Sequence, residues 1–286
     1  MADARLGFAL FTYRDLMDDV RGVLDWLTEV HDTLITPIAA QFGDKLVHDL
    51  AEETPYGAKL SLTVTSTKQR LSIAVLDDTR WLRALRRLER GDLRELSIML
   101  SPLNGEGRSS QYRSSLDVSI TLRDQFTEST GPLPDDHPAI ITVTAPRTLL
   151  DQAVADGVTY LTGLMRTAAI RFHAVHGYAS ASGYPGQHNS QYERRHNLGW
   201  DHSRLDTTTR GVRWGNLIGD HHLAAIGGHQ RLQQLQDQGI LTAVEQWATQ
   251  PNLWWFQVSD EPYGRNNQRA DEAATHLHQI MPQPWE

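Results

Sequence analysis

The chain contains no cysteine. Disulfide frameworks, zinc fingers, iron–sulfur clusters and thiol nucleophiles all depend on that residue, so each is excluded. No apolar run approaches the roughly 18 residues of a spanning helix. The start, MADARLGFALFTYRDLMDD, has no charged leader ahead of an apolar stretch. A cytoplasmic protein without a membrane partner is therefore expected. Positive charge is also scarce, with 27 Lys and Arg against 35 Asp and Glu and a net charge of −8. Nucleic-acid binders show a basic footprint. The basic run here, RWLRALRRLER at 80–90, reads as the solvated face of a helix, so no nucleic-acid partner is expected. The chain lacks a G-x-S-x-G elbow, a phosphate-binding loop, a dinucleotide fingerprint and an H-E-x-x-H pair. Its adjacent acids, Glu52-Glu53 and Asp135-Asp136, fall in polar connecting segments where carboxylates are solvated.

What is present is an ordinary globular balance: 286 residues, 40% hydrophobic and 22% charged. LGFALFTY at 6–13 reads as a strand. From Leu16 to Leu34, apolar residues recur at helical spacing, and Pro37 is expected to kink or end that helix. KLSLTVTS and RLSIAVL alternate apolar and polar residues about a short polar break, as a hairpin does. Asp77 or Asp78 caps a helix with Trp81, Leu82, Leu85 and Leu88 on one face, closed by Gly91. LRELSIMLSP and SSLDVSITLRD read as two further antiparallel strands, and AIITVTAP as another. RTLLDQAVADGVTYLTGLMRTAAIRF then reads as one helix of about seven turns. The segment DQFTESTGPLPDDHP, 124–138, is the best linker, which divides the chain into lobes 1–130 and 131–286. The fold class expected is α+β, with antiparallel or mixed sheets flanked by helices near 14–36, 78–90, 147–172 and 268–279.

Histidine is concentrated: eight of the 13 lie between 173 and 229. Imidazole is a common metal ligand, so His173, His176, His221 and His222 are the residues that would hold a metal if one were bound. Spacing of i, i+3 at a helix end could put His173 and His176 on one face. No cofactor is expected, and satisfied or surface histidines are the favoured reading. RGVRWGNLIGDHHLAAIGG, 210–228, has a structural account that uses every residue. Trp214 enters a core whose rim must accept its N–H. Asn216 and Gly219 favour a turn, and Asp220 caps a short helix that Gly227-Gly228 ends. Leu217, Ile218, Leu223 and Ile226 are then core, and the histidines near a helix N-terminus tend to stay neutral.

The order of HGYASASGY, RGVRWGNLIGDHHLAAIGG, LWWFQVSDEPYGRNN and a closing helix before MPQP resembles the type VI immunity family of bacterial toxin-neutralising proteins. The matching positions are Gly177, Tyr178 and Ala179; Gly211, Trp214, Leu217, Gly219, Gly227 and Gly228; and Pro262, Gly264 and Asn266. The resemblance covers only the C-terminal portion and brings no catalytic residues. It implies a protein that binds and neutralises a cognate toxin. The material for such a contact is in 184–204, where Tyr184, Tyr192, Arg194, Arg195, Trp200 and Arg204 are interleaved with Gly, Asn and Ser. Two other readings stand beside it: a metal-dependent enzyme using the histidines, and a structural or assembly component of a bacterial complex.

Overall fold

A computed structural model describes residues 5–47, 57–68, 70–103, 115–122, 138–181, 205–262 and 267–281. In chain order the elements are β1 (Arg5–Thr12), α1 (Val20–Val30), α2 (Thr36–Ala40), β2 (Leu46–Val47), β3 (Ala58–Ser66), β4 (Leu71–Val75), α3 (Asp78–Glu89), β5 (Leu93–Pro102), β6 (Leu116–Thr121), β7 (Ala139–Pro146), α4 (Arg147–Ala153), α5 (Gly157–Arg171), β8 (His176–Ser180), β9 (Gly215–Ile218), α6 (Asp220–Ile226), α7 (His229–Asp237), β10 (Ala243–Thr249), β11 (Asn252–Gln257) and α8 (Asn267–His276). The fold is α+β and its sheet is mixed and mostly antiparallel, with β2 parallel to β3. No helix among the described residues is long and apolar enough to cross a membrane.

The chain forms two compact units. One comprises Met1–Arg5, Asp15–Pro132 and Ala139–Tyr160; the other comprises Leu6–Arg14, Leu133–Pro138 and Leu161–Glu286. The sequence boundary expected at 130/131 falls within 123–137, outside the described residues.

In the first unit the strands run in the order β7-β6-β5-β3, with β2 and β4 both pairing β3. Period-two patterning sets one face apolar. Leu62, Ile98, Val118 and Val143 form one cross-strand row, and Val64, Leu96, Ile120 and Ile141 form the next. The opposite face is hydroxyl-rich, and Ser119 and Thr142 meet there at 2.6 Å. Helix α3 packs on β3 and β5 with Trp81, Ala84 and Leu88 inward, α1 packs on α3, and α4 packs on α2 and β7. The expected apolar face of α3 needs one correction: Leu82 points to solvent and Ala84 takes the inner position.

Two helical boundaries differ from expectation for identifiable reasons. Pro37 does not end the first helix. A π turn at His31–Ile35 resets the hydrogen-bond register, and Pro37 falls in the first turn of α2, where its missing N–H costs nothing. The single long helix expected over 147–172 is two, α4 and α5. Asp156 caps the second, accepting the backbone N–H of Val158 and Thr159 at 3.1 Å and the Thr159 hydroxyl at 2.7 Å. These bonds, the hydroxyl first, hold the Asp156 carboxyl below its ordinary pKa. Asp156→Ala is expected to lower stability by about 1 kcal/mol, the usual worth of such a cap. Urea unfolding of the two proteins measures it, and an unchanged midpoint would refute the capping role.

In the second unit the order is β10-β11-β9-β8-β1. One face presents Phe11, His176, Tyr178, Ile218, Asn216, Trp254 and Phe256. Trp254 and Phe256 join Ile218, Leu223, Leu232, Leu235, Ala273 and Leu277 in one apolar cluster supplied by α6, α7 and α8. The other face bears Leu10, Gly177, Leu217, Gly215 and Trp255. There α5 brings Met165 against Gly177, where a Cβ would sit 2.6 Å from Leu10 and 3.0 Å from Met165. The consecutive tryptophans thus serve opposite layers, as strand alternation requires. Trp254 stacks on His229 at 4.8 Å, while Trp255 stacks on Trp247 at 4.6 Å and meets Trp214 edge-on at 6.1 Å.

Candidate functional site

Residues 205–228 build the centre of the second unit. Asn216 closes the approach to β9: its Oδ1 accepts the Arg213 N–H at 2.8 Å and its Nδ2 donates to the Arg213 carbonyl at 2.9 Å. That clamp delivers Trp214 inward, where its indole N–H donates to the Ser259 carbonyl at 3.0 Å, the partner the sequence required. The Arg213 guanidinium lies over the Tyr178 ring, 4.2 Å from its centroid, a cation–π contact. Gly211, Gly227 and Gly228 have φ of +81°, +89° and +91°, backbone that glycine adopts without strain. Gly227 ends α6 in the left-handed conformation. Asp220 corrects an expectation: the cap is Gly219, and Asp220 is the first helical residue, its carboxylate accepting from Asn252 Nδ2 at 2.7 Å. Leu217, Ile218, Leu223 and Ile226 are buried, as read from the sequence, and so is Pro262.

The four histidines do not share a surface. Helix α5 ends at Arg171, and His173 follows in a left-handed conformation (φ +51°) with its side chain exposed. His176 lies three residues on, in β8, and is completely buried. Helical spacing therefore does not apply between them. His176 Nδ1 pairs with the Leu217 carbonyl at 3.0 Å, and its Nε2 accepts the Arg210 N–H at 3.3 Å. One tautomer, with the proton on Nδ1, satisfies both bonds. The ring stacks on Phe11 at 5.7 Å. Burial above all, then the charge of His222 and of Arg210 and Arg213, holds its pKa well below the ordinary histidine value. A neutral imidazole with both nitrogens engaged acts as a cross-link between β8, β9 and the 205–214 segment.

His222 is buried beside it, 5.8 Å between ring centroids, while His221 faces solvent. The His222 Nδ1 accepts the Gly219 N–H at 3.4 Å. Its Nε2 has no partner of good geometry among the described residues, though the Thr208 backbone and the Asp206 carboxylate favour the proton there. Burial outweighs both and lowers the pKa to about 4. The neutrality expected from the helix dipole is found for His222, but desolvation is its main cause. Among the described residues no group of three or more His, Asp or Glu side chains is placed to hold a metal ion. A small cavity is lined by the apolar side chains of Leu6, Phe8, Leu161, Met165, Ala179 and Trp214 together with Thr162.

Tyr184, Tyr192, Arg194, Arg195, Trp200 and Arg204 lie outside the described residues, as do Gly264 and Asn266. The positions that bracket 182–204 are firmly held. Ser180 is buried in β8 opposite Gly7, and buried Leu205 donates its N–H to the Tyr13 hydroxyl at 3.0 Å. Sequence reasoning missed Asn216 as the clamp on Arg213, Tyr178 as the ring beneath its guanidinium, and Gly215. A Cβ on Gly215 would overlap the Trp255 indole. The alternation of glycine and tryptophan in R-G-V-R-W-G was the available signal.

Over this architecture, the solved Pseudomonas aeruginosa T6SS protein PA0821 is similar to the chain, at 13% identity and a TM-score of 0.54. The match covers 98% of this chain and 76% of that one. The likeness is one of fold. No family model matches the chain, and no curated protein does.

Proposed function

We propose that this chain is an immunity-type protein of a bacterial type VI secretion system, acting in the cytoplasm to bind and neutralise a cognate effector by protein–protein contact, without catalysis or a cofactor. The observation that carries the proposal is the shared fold with a protein named as part of that system, extending over nearly the whole chain. Two features support it. Gly177, Tyr178 and Trp214 are packed inside the second unit, and Gly227 ends α6 in the left-handed conformation at its surface. The conspicuous histidines His176 and His222 serve packing, which leaves recognition to the aromatic and arginine side chains of 184–204 that those anchors bracket.

The experiment is a toxicity rescue. An effector captured from the host on the tagged chain is expressed in a sensitive bacterium with and without it, and binding of the purified pair is measured. Replacing Tyr192, Arg195 and Trp200 together with alanine is expected to weaken binding by roughly 100-fold or more and abolish rescue, with the thermal midpoint nearly unchanged. Full rescue by the triple variant would remove 184–204 from the contact. Absence of both binding and rescue by the intact chain would overturn the immunity reading.

A further inference from the structure

Large apolar side chains stand exposed at three described positions, Leu71 (62%), Ile73 (56%) and Leu82 (50%), and two of the three are on β4. β4 pairs with β3 on one side only, and no described strand pairs its outer edge. The direction of its backbone groups follows from two bonds. The Ser66 N–H donates to the Arg70 carbonyl at 3.1 Å, and the Leu76 N–H donates to the Leu60 carbonyl at 2.9 Å. Antiparallel pairing alternates, so even-numbered residues turn their N–H and C=O toward β3, while Leu71, Ile73 and Val75 turn theirs outward. The Val75 carbonyl takes the Arg80 guanidinium at 3.1 Å. At Leu71 and Ile73, exposed apolar side chains and outward main-chain groups coincide. Folded proteins ordinarily blunt such an edge with charge, a proline or a cover.

The flanks of β4 are of opposite sign. Lys68 and Arg70 precede it; Asp77, Asp78 and Arg80 follow it, with Arg80 paired to Asp77 at 2.9 Å, so that end carries one net negative charge, and all five are exposed. We propose that β4 pairs antiparallel with β4 of a second copy of this chain, about a two-fold axis at Ile73. Outward-turned residues must meet outward-turned residues, so Ile73 lies opposite Ile73 of the second copy and Leu71 opposite its Val75. That pairing brings Lys68, in the turn before β4, and Arg70 to the end that Asp78, at the start of α3, leaves negative, twice over by symmetry. A parallel pairing would set like charges together. An acidic strand of another protein would suit Lys68 and Arg70 but would meet Asp77 and Asp78 at the other end. A second copy matches both ends. The inference is independent of the immunity reading.

The absence of cysteine makes the test clean. Facing residues of this kind sit about 5.5 Å apart at Cα, within disulfide range. Ile73→Cys is expected to cross-link to itself on mild oxidation, while Ser72→Cys and Leu82→Cys do not. Sedimentation of the unmodified chain over a wide concentration series is expected to show a mass rising to twice that of the monomer. Ile73→Lys is expected to hold the chain monomeric with its thermal midpoint unchanged. A chain monomeric throughout overturns the proposal, as does a dimer indifferent to Ile73→Lys. Cross-linking of Ile73→Cys no faster than that of Leu82→Cys overturns it equally. A monomer that pairs with its effector through this edge overturns it as well, and reassigns the edge to that partner.

Discussion

Trp255→Ala is expected to lower stability by about 3–5 kcal/mol, the range for deleting a large buried aromatic side chain. The ring is enclosed as a result of the strand order: Trp247 stacks on it from β10, Trp214 meets its edge, and Gly215 on β9 leaves the space it occupies. Gly215→Ala alone attacks the same contact from the other side. Its Cβ would overlap the indole, which cannot retreat between two other tryptophans, so a loss of about 1–3 kcal/mol follows. The sharper test is the combination. With the ring gone, the alanine at 215 fills vacated volume, and its cost should vanish or reverse in sign. Urea midpoints of the four proteins give the coupling. A Gly215→Ala penalty of equal size in both backgrounds would show that the backbone at 215, and not Trp255, demands glycine.

The buried histidines make stability depend on pH in a predictable direction. The ordinary His222 value is 6.5 and the folded value is about 4. Between those limits the unfolded chain binds a proton that the folded chain refuses, so stability is full above about pH 6.5 and falls as pH drops toward 4. The complete shift corresponds to about 3 kcal/mol. His176, depressed by its own burial, adds loss in the same direction. Carboxylates titrate in part of this window too, so the comparison must be with His222→Asn, whose side-chain oxygen can still accept the Gly219 N–H. The variant is expected to show a shallower decline in urea midpoint from pH 7 to pH 4. An identical decline would place the proton uptake elsewhere.

The first unit was readable from the sequence because its strands obey local rules. Leu60, Leu62 and Val64 alternate with Ser61 and Thr63, and β5, β6 and β7 repeat the pattern, so strand and face both follow from a period of two. The break between α4 and α5 was harder. Val154 and Ala155 suit a helix, and only the capping potential of Asp156 ahead of Thr159 marks the end. The histidines show a deeper limit. The distance between His173 and His176 along the chain is fixed, but their separation across an interior depends on where the helix stops, and it stops at Arg171 with Phe172 and Ala174 buried beyond it. Trp214 was readable because an indole N–H in a core must find an acceptor. Its acceptor, Ser259, is 45 residues away and belongs to no local pattern.

The pairing of β1 with β8 has a consequence in time. Gly7 meets Ser180 and Phe11 meets His176, so the first strand waits for partners more than 160 residues downstream. At ribosomal speeds of about 5–20 residues per second, that wait is of the order of ten to thirty seconds. Throughout it, a strand whose eight residues are all buried in the finished fold lacks its β8 partner. The unit built on Asp15–Tyr160 can close around its own strands meanwhile. The β1–β8 ladder therefore closes late, after the chain between the two strands has been made.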